Sequence, residues 1–181
     1  LSGAGFAAPS VVTGSDFRFM VVEQLAAVEI APVNILIEPS ARNTAAAICA
    51  AALALHAQNG GSLMLVAPSD HVIPDAEQFR STVEAAAQTA LDGQIVTFGI
   101  RPDRAETGYG WLELTAQPSG DFAPVAQPLK SFAEKPDAKT AEALLSGGMH
   151  LWNAGIFLFS TSTILGAFAE FAPETLFKVR N

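Results

Sequence analysis

An α/β domain with a mixed, mostly parallel sheet is the fold class that this sequence predicts, for three reasons. Strand-like and helix-like segments alternate up to residue 98, as they do in chains built from repeated strand–helix units. The strand-like segments include wholly apolar runs, such as residues 63–66, which is typical of buried strands. Half of the 181 residues are hydrophobic and 15% are charged, so one domain can bury a sizeable core.

The elements before residue 99 follow from local patterns. Phe17, Met20, Val21 and Leu25 form an apolar face at helical spacing and predict the first helix, and a high alanine content predicts the second. In chain order we expect a short strand ending at residues 11–12, a helix over 16–28, a strand over 34–37, a helix over 43–58, a strand over 63–66, a helix over 75–91 and a strand over 95–98.

The alternation of strands and helices stops after residue 98. Residues 109–114 and 129–133 have the pattern of β segments with no helix between them, so we expect them to form an excursion off the main sheet. Residues 117–124 are rich in Pro, Gly and Ser and predict a surface hairpin loop. The remaining predicted elements are a helix over 139–145, a strand over 156–159 and a helix over 161–171.

The composition excludes several classes of function. The formal net charge is −8 and the basic residues are scattered, so a basic footprint for nucleic acid is missing. No apolar run reaches the roughly 18 residues of a membrane helix and no secretory signal is visible, so we expect no membrane partner. The sole cysteine, Cys49, rules out an internal disulfide and fits a reducing, cytoplasmic location. We interpret it as a small apolar filler rather than a nucleophile.

Glu38 ends a predicted strand and opens the segment EPSARNTAAAI, which leads into a predicted helix. Ligands of open α/β sheets bind beyond the carboxyl ends of strands, so a site is expected there. A carboxylate can accept from the two adjacent donors that guanine presents and adenine lacks. Free N–H groups at the helix start, which Asn43 or Thr44 would cap, could face a phosphate. The alternative is an ordinary helix cap with Glu38 in solvent.

Asp70 follows a second apolar strand, in the segment PSDHVI. A carboxylate after a buried strand is costly unless something compensates its charge. A hard oxygen ligand beside a triphosphate suits Mg²⁺, which one or two carboxylates hold together with substrate oxygens. The alternative is that Asp70 caps a turn and His71 merely packs.

Two segments place polar groups or flexible backbone next to predicted strands. TGYGW contains Gly108 and Tyr109, and its glycines would allow the backbone amides to approach sugar hydroxyls, although a turn or bulge is the commoner meaning. WNAGIF places Asn153 before a predicted strand, where its amide could bond a hydroxyl or hold a turn.

FAEKP ends a predicted strand with an acid followed by a base, Glu134 and Lys135. Neighbouring side chains on a strand point to opposite faces, so we do not expect these two to pair with each other. Glu134 could accept from sugar hydroxyls while Lys135 meets a phosphate. A solvated charge pair is the alternative.

These five segments stand in the order and approximate spacing seen in the mannose-1-phosphate guanylyltransferases, and the sequence resembles that family from about Val11 to its end. The resemblance implies a Rossmann-like, GT-A-like nucleotidyltransferase domain. It also implies transfer of GMP from GTP to mannose 1-phosphate, which yields GDP-mannose and pyrophosphate with the help of Mg²⁺. Because family members often form dimers, a homodimer is a further expectation.

The resemblance also implies roles for individual residues. Asp70 matches the metal-binding, catalytic aspartate and Lys135 the catalytic lysine that binds the sugar phosphate. The nucleotide-side residues are Glu38, Arg42, Asn43 and Thr44, and the sugar contacts are Gly108, Tyr109, Glu134 and Asn153.

The sequence departs from the family pattern in three ways. The sequence begins after the Gly-rich GGxGxRLWPxSR-type loop or lacks it, the downstream segment with a second metal-binding aspartate is absent from it, and Ala154 replaces the usual serine. We therefore expect residues 1–181 to be part of a nucleotidyltransferase domain. Two alternatives stay open: another sugar-1-phosphate nucleotidyltransferase, or an inactive regulatory homologue that binds a nucleotide sugar.

Overall fold

The computed structural model describes residues 5–40, 44–118 and 125–181. The chain divides into two units, Leu1–Met64 with Ser160–Asn181 and Leu65–Phe159. A short 3₁₀ helix at Ser15–Phe17 precedes the first α-helix. In chain order the other elements are β1 (Ser10–Gly14), α1 (Arg18–Ala27), β2 (Asn34–Glu38), α2 (Thr44–Gln58), β3 (Leu63–Val66), α3 (Ala76–Leu91), β4 (Val96–Ile100), β5 (Gly110–Leu114), β6 (Leu129–Glu134), α4 (Ala138–Gly147), β7 (His150–Ser160), α5 (Thr161–Phe171) and α6 (Pro173–Arg180). Among the described residues, no helix is long and apolar enough to cross a membrane.

The first unit combines a parallel β1–β2 pair with helices α2, α5 and α6. Small residues of α2, including Cys49 and Ala52, are fully buried, which lets the packed helices approach closely. Burial raises the pKa of the Cys49 thiol, and the positive charge of Arg180 opposes that rise. The interpretation of Cys49 as an apolar filler therefore agrees with the structure, because a nucleophile needs the thiolate.

The apolar face predicted for the first helix is not buried in the structure. The helix forms where expected, but Phe17 and Met20 are 58% and 51% exposed, and α1 contains no buried residue. Two further apolar residues of this helix, Phe19 and Val22, are 71% and 50% exposed. Apolar side chains are therefore distributed around the helix. Four correctly spaced residues are thus not enough to define a single buried face.

The larger sheet has the strand order β3-β7-β5-β6, in which β4 also pairs with β7. The pairs β4–β7, β5–β6 and β5–β7 are antiparallel. Trp111 of β5 and Trp152 of β7 form a buried cluster with Ala141 of α4. This cluster holds α4 against one face of the sheet. Residues next to the tryptophans along β5 and β7 therefore point to the opposite face.

The α/β class with a mixed sheet is confirmed, but two expectations about its strands are wrong. Strands β5 and β6 do not leave the main sheet, because β5 lies between β6 and β7 and its Trp111 and Leu112 are buried. The β1–β2 pair is parallel, whereas β4–β7, β5–β6 and β5–β7 are antiparallel, so "mostly parallel" overstates the parallel share. Strands β5 and β6 follow each other without a crossover helix, which is the connection of an antiparallel pair. Residues 119–124 of the predicted hairpin loop lie outside the described residues.

The strand predicted at residues 156–159 is only the last part of β7, which has 11 residues. Its first residues pair with β5, from His150 opposite Glu113 to Trp152 opposite Trp111. Asn153 therefore lies inside a strand and not before one, which corrects the sequence-based expectation.

Candidate active site

Three neighbouring strands bring Glu134 and Asn153 to the same face of the sheet. Glu134 of β6 lies opposite Gly110 of β5. Continuing the β5–β7 register one residue beyond the Trp111–Trp152 pair sets Asn153 beside Gly110. Side chains alternate along strands and strands are about 4.8 Å apart, so the Glu134 and Asn153 backbones are roughly 10 Å apart across Gly110. That separation suits a ligand the size of one sugar ring.

Gly110 leaves room for the side chains that cross it from β6. A Cβ atom on this residue would lie 2.6 Å from Cζ of Phe132 and 3.0 Å from Oε2 of Glu134. Only a residue without a side chain lets the Glu134 carboxylate lie over β5, toward Asn153. Gly110, the second glycine of TGYGW, thus allows the close approach of a side chain and not of a ligand.

The side chain of Asn153 has a fixed orientation. Its Oδ1 accepts a hydrogen bond from the Thr97 hydroxyl at 2.8 Å and from the Gly155 amide at 3.2 Å. A backbone N–H can only donate, so the atom that faces Gly155 must be the oxygen. Gly155 has a φ of 67°, in the region that favours glycine. The NH₂ group of Asn153 remains as the part of the side chain that can donate to a ligand.

Lys135 follows the end of β6 and has a left-handed backbone, with a φ of 44°. This conformation interrupts the strand alternation, so the expectation that Glu134 and Lys135 do not pair is wrong. Lys135 Nζ lies 3.8 Å from Oε1 of Glu134, with both side chains more than half exposed, at 66% and 60%. Exposed ion pairs of this kind are weak, so the ammonium can exchange its carboxylate partner for a phosphate.

The loop before β5 is engaged within the protein. The Gly108 amide donates to Oε1 of Glu106 at 2.9 Å. The Tyr109 ring packs edge-on against Trp152, with 5.4 Å between ring centroids. A sugar contact from the Gly108 amide would have to replace the bond to Glu106. The proposed sugar contacts of Gly108 and Tyr109 therefore remain predictions.

Two residues of this loop were not singled out from the sequence. Arg104 donates from Nε and Nη2 to Oε2 of Glu106, at 3.2 and 3.1 Å, and its guanidinium lies 4.9 Å from the centre of the Trp152 ring. Hydrogen bonds from the Gly108 amide and from Arg104 hold the pKa of Glu106 below its usual value. The signal in the sequence was an acid and a base just before the turn, in RAETG.

Asp70 lies in an exposed turn after β3. Water solvates this side chain, so its charge does not need a protein partner to compensate it. A Cβ placed on Gly155 would lie 3.8 Å from Cγ of Pro68, so this turn approaches β7 two residues beyond Asn153. Within the described ranges, no group of three or more His, Cys, Asp and Glu side chains is arranged to hold a metal ion.

The nucleotide-side residues belong to the first unit. Glu38 is the last residue of β2 and is partly buried. Thr44 is the first residue of α2 and not its cap. Arg42 and Asn43 lie outside the described residues. Their roles remain predictions.

Comparison with known proteins places the chain in a family. Residues 1–175 match the family model described as nucleotidyl transferase. The chain belongs to the nucleotidyl transferase family. This agrees with the resemblance inferred from the five sequence segments.

Two relatives of this nucleotidyl transferase chain carry informative names. The xanthan biosynthesis protein XanB of Xanthomonas campestris pv. campestris (strain B100) is 44% identical over 166 residues, which is 92% of this chain and 34% of that protein. The mannose-1-phosphate guanylyltransferase of Escherichia coli K12 is 40% identical over 178 residues, which is 97% of this chain and 37% of that protein. The chain thus spans about a third of the length of these relatives.

Two solved structures support the fold. A mannose-6-phosphate isomerase from Helicobacter pylori aligns with a TM-score of 0.82 at 28% identity, over 94% of this chain and 62% of that one. A Thermus thermophilus protein described as a mannose-1-phosphate geranyltransferase aligns with a TM-score of 0.77 at 27% identity, over 94% and 48% of the two chains. The predicted nucleotidyltransferase fold is confirmed.

Proposed function

We propose that the protein to which this chain belongs transfers GMP from GTP to mannose 1-phosphate and releases pyrophosphate. The observation that carries the proposal is the pairing of Glu134 with Gly110, with the Lys135 ammonium 3.8 Å from the Glu134 carboxylate. The continued β5–β7 register adds Asn153 on the same face. A carboxylate, an amide donor and a weakly paired cation are the groups that a sugar phosphate needs. Relatives named mannose-1-phosphate guanylyltransferase support the choice of sugar and base. The xanthan biosynthesis relative supports a use of the product in polysaccharide synthesis.

In the proposed reaction a phosphate oxygen of mannose 1-phosphate attacks the α-phosphorus of GTP. The new P–O bond forms as the bond from the α-phosphorus to the bridging β-phosphate oxygen breaks, and pyrophosphate leaves with that electron pair. No covalent enzyme intermediate is required, so the protein contributes position and charge. Lys135 binds and orients the sugar phosphate, Glu134 accepts from sugar hydroxyls, and the Asn153 NH₂ donates to one.

Asp70 is the residue that we assign to Mg²⁺. Mg²⁺ is commonly bound by one or two carboxylates plus substrate phosphates, so a cluster of three protein ligands is not needed. An exposed carboxylate in a turn that approaches β7 fits such a role, because the ion and the substrate phosphates can reach it from solvent. The bound ion would neutralise charge at the phosphates of two anionic substrates.

The nucleotide side of the proposal rests on Glu38 and the start of α2. The partly buried Glu38 carboxylate would accept from guanine N1–H and the 2-amino group, and the amides at the beginning of α2, at Thr44, would face a phosphate. Arg42 and Asn43 belong to the same segment and are proposed as further nucleotide contacts.

The proposal is tested by measuring pyrophosphate release from the full-length protein with GTP, ATP or UTP and with mannose, glucose or galactose 1-phosphate, with and without Mg²⁺. We expect turnover that depends on Mg²⁺ and is fastest with GTP and mannose 1-phosphate. Faster turnover with another pair would identify a different sugar-1-phosphate nucleotidyltransferase. Binding of GDP-mannose without turnover of any pair would identify an inactive homologue.

A further inference from the structure

Glu106 is the centre of a closed set of hydrogen bonds in the loop before β5. Its Oε1 accepts from the Gly108 amide at 2.9 Å, and its Oε2 accepts from Arg104 at 3.1 and 3.2 Å. Its main-chain oxygen accepts from Nε1 of Trp111 at 2.9 Å. All three oxygen atoms of Glu106 are therefore occupied by protein donors, and the residue needs no ligand to satisfy it.

Arg104 and Tyr109 both contact the indole ring of Trp152, so this ring holds both ends of the loop in place. The Arg104 guanidinium lies 4.9 Å from the ring centre, and the Tyr109 ring meets the indole edge-on at 5.4 Å. Trp152 itself is 6% exposed and packs in the core cluster with Trp111. The loop is thus anchored to the rigid centre of the second unit.

A backbone hydrogen bond carries this constraint to Lys135. The amide of Lys135 donates to the carbonyl of Tyr109 at 3.2 Å. Lys135 has a φ of 44°, a conformation that side-chain-bearing residues seldom adopt unless their surroundings impose it. The direction of the Lys135 side chain therefore depends on the position of the Tyr109 carbonyl.

We infer that Glu106 is a positioning residue for the sugar-phosphate site. It holds the Gly108–Tyr109 loop, which fixes the left-handed turn at Lys135 and so directs the ammonium toward the phosphate of the substrate. The inference rests on the proposed function for the identity of that phosphate. A purely structural role for Glu106 would predict lower stability with no selective effect on the sugar phosphate.

Steady-state kinetics of the full-length protein separate these roles. We expect Glu106→Ala to raise KM for mannose 1-phosphate roughly tenfold, about the effect of one lost hydrogen bond to a charged group, and to leave KM for GTP within about twofold. Glu106→Gln should recover part of the loss, because its amide oxygen can still accept from Gly108. Glu142→Ala, an exposed acid on α4, is the matched control. An unchanged KM for mannose 1-phosphate, or an equal rise in both KM values, would overturn the inference.

Hydrogen–deuterium exchange supplies a readout that does not depend on activity. In Glu106→Ala, peptides that contain Gly108 and Lys135 should exchange faster than in the unmutated protein, while peptides of α5 should not. Glu106→Gln should show a smaller increase, because it keeps an acceptor for the Gly108 amide. Unchanged exchange at Lys135 in an active enzyme would overturn the positioning role alone. Absence of guanylyl transfer by the unmutated protein, with faster exchange in the variants, would refute the proposed function and leave the link from Glu106 to Lys135 supported.

Discussion

The Thr97 hydroxyl donates to the side-chain oxygen of Asn153 over 2.8 Å. Together with the Gly155 amide, this bond occupies the acceptor end of the Asn153 side chain and leaves its NH₂ group for a ligand. These two hydrogen bonds within the sheet leave Asn153 to act as a hydrogen-bond donor toward a ligand. The carboxylate of Glu134, on the same face, supplies an acceptor.

The first prediction concerns this division of roles. Asn153→Asp keeps an oxygen for Thr97 and Gly155 but removes the donor, so binding of the sugar phosphate should weaken roughly tenfold. KM for mannose 1-phosphate in the full-length protein measures the effect. Asn153→Gln is not a suitable control because of its extra methylene, whereas Asn59→Asp, in the turn after α2, changes the same groups elsewhere. A KM unchanged in Asn153→Asp would remove Asn153 from the site.

The second prediction concerns the close approach at Gly110. Gly110→Ala would set a Cβ atom 2.6 Å from Phe132 Cζ and 3.0 Å from Glu134 Oε2. Both are far ends of exposed side chains that can move away, so we expect a small change in Tm but a clear loss of sugar-phosphate binding. Gly166→Ala is the control, because nothing lies within 4 Å of its new Cβ atom. It should raise stability by about 0.5–1 kcal/mol. A large fall in Tm with normal substrate binding in Gly110→Ala would contradict this account.

The fold was largely predictable where the signal is local. The run at Leu63–Val66 is wholly apolar and is followed by Pro68, so its strand was identified with the correct bounds. The helix Thr161–Phe171 was also identified with the correct bounds. Strand partners were less predictable, because the position of β5 between β6 and β7 depends on contacts between residues far apart in the sequence.

The same division applies to the candidate site. Glu134, Lys135 and Asn153 stood out as polar residues beside strands, but the register that aligns Glu134, Gly110 and Asn153 is a long-range property. The left-handed backbone of Lys135 could not be predicted from the sequence, because lysine rarely adopts this conformation. The part played by Glu106 depends on a turn geometry that brings its carboxylate to the Gly108 amide.

The third prediction concerns acid stability. Hydrogen bonds from Lys130 and Ser131 hold the pKa of Glu113 below its ordinary value of 4.5. A carboxyl group with a lowered folded-state pKa stabilises the fold above its unfolded pKa, and that contribution is lost as the pH falls through the folded pKa. Glu113→Gln should therefore lower Tm at pH 6, and the difference from the unmutated protein should shrink as the pH falls below about 4.5. A difference that stays constant down to strongly acidic pH would contradict the assignment.

The fourth prediction concerns the metal. Asp70→Asn keeps the size of the side chain and removes the charge that a hard cation prefers. We expect near-complete loss of turnover in the full-length protein, partial recovery at high Mg²⁺ concentration, and little change in Tm without ligand, because the side chain is exposed. Asp92→Asn, in the turn after α3, is the matched control. Normal turnover of Asp70→Asn at ordinary Mg²⁺ would show that Asp70 only forms a turn.

The most direct test of the sugar-phosphate site is the pair of Michaelis constants of Lys135→Ala, with Lys139→Ala, an exposed lysine of α4, as the control. Loss of one charge-assisted phosphate contact should raise KM for mannose 1-phosphate by roughly one to two orders of magnitude. KM for GTP should stay within about twofold of its original value, and Lys139→Ala should change neither. An unchanged KM for mannose 1-phosphate in Lys135→Ala would contradict the account, because the cation beside Glu134 would then not bind the substrate.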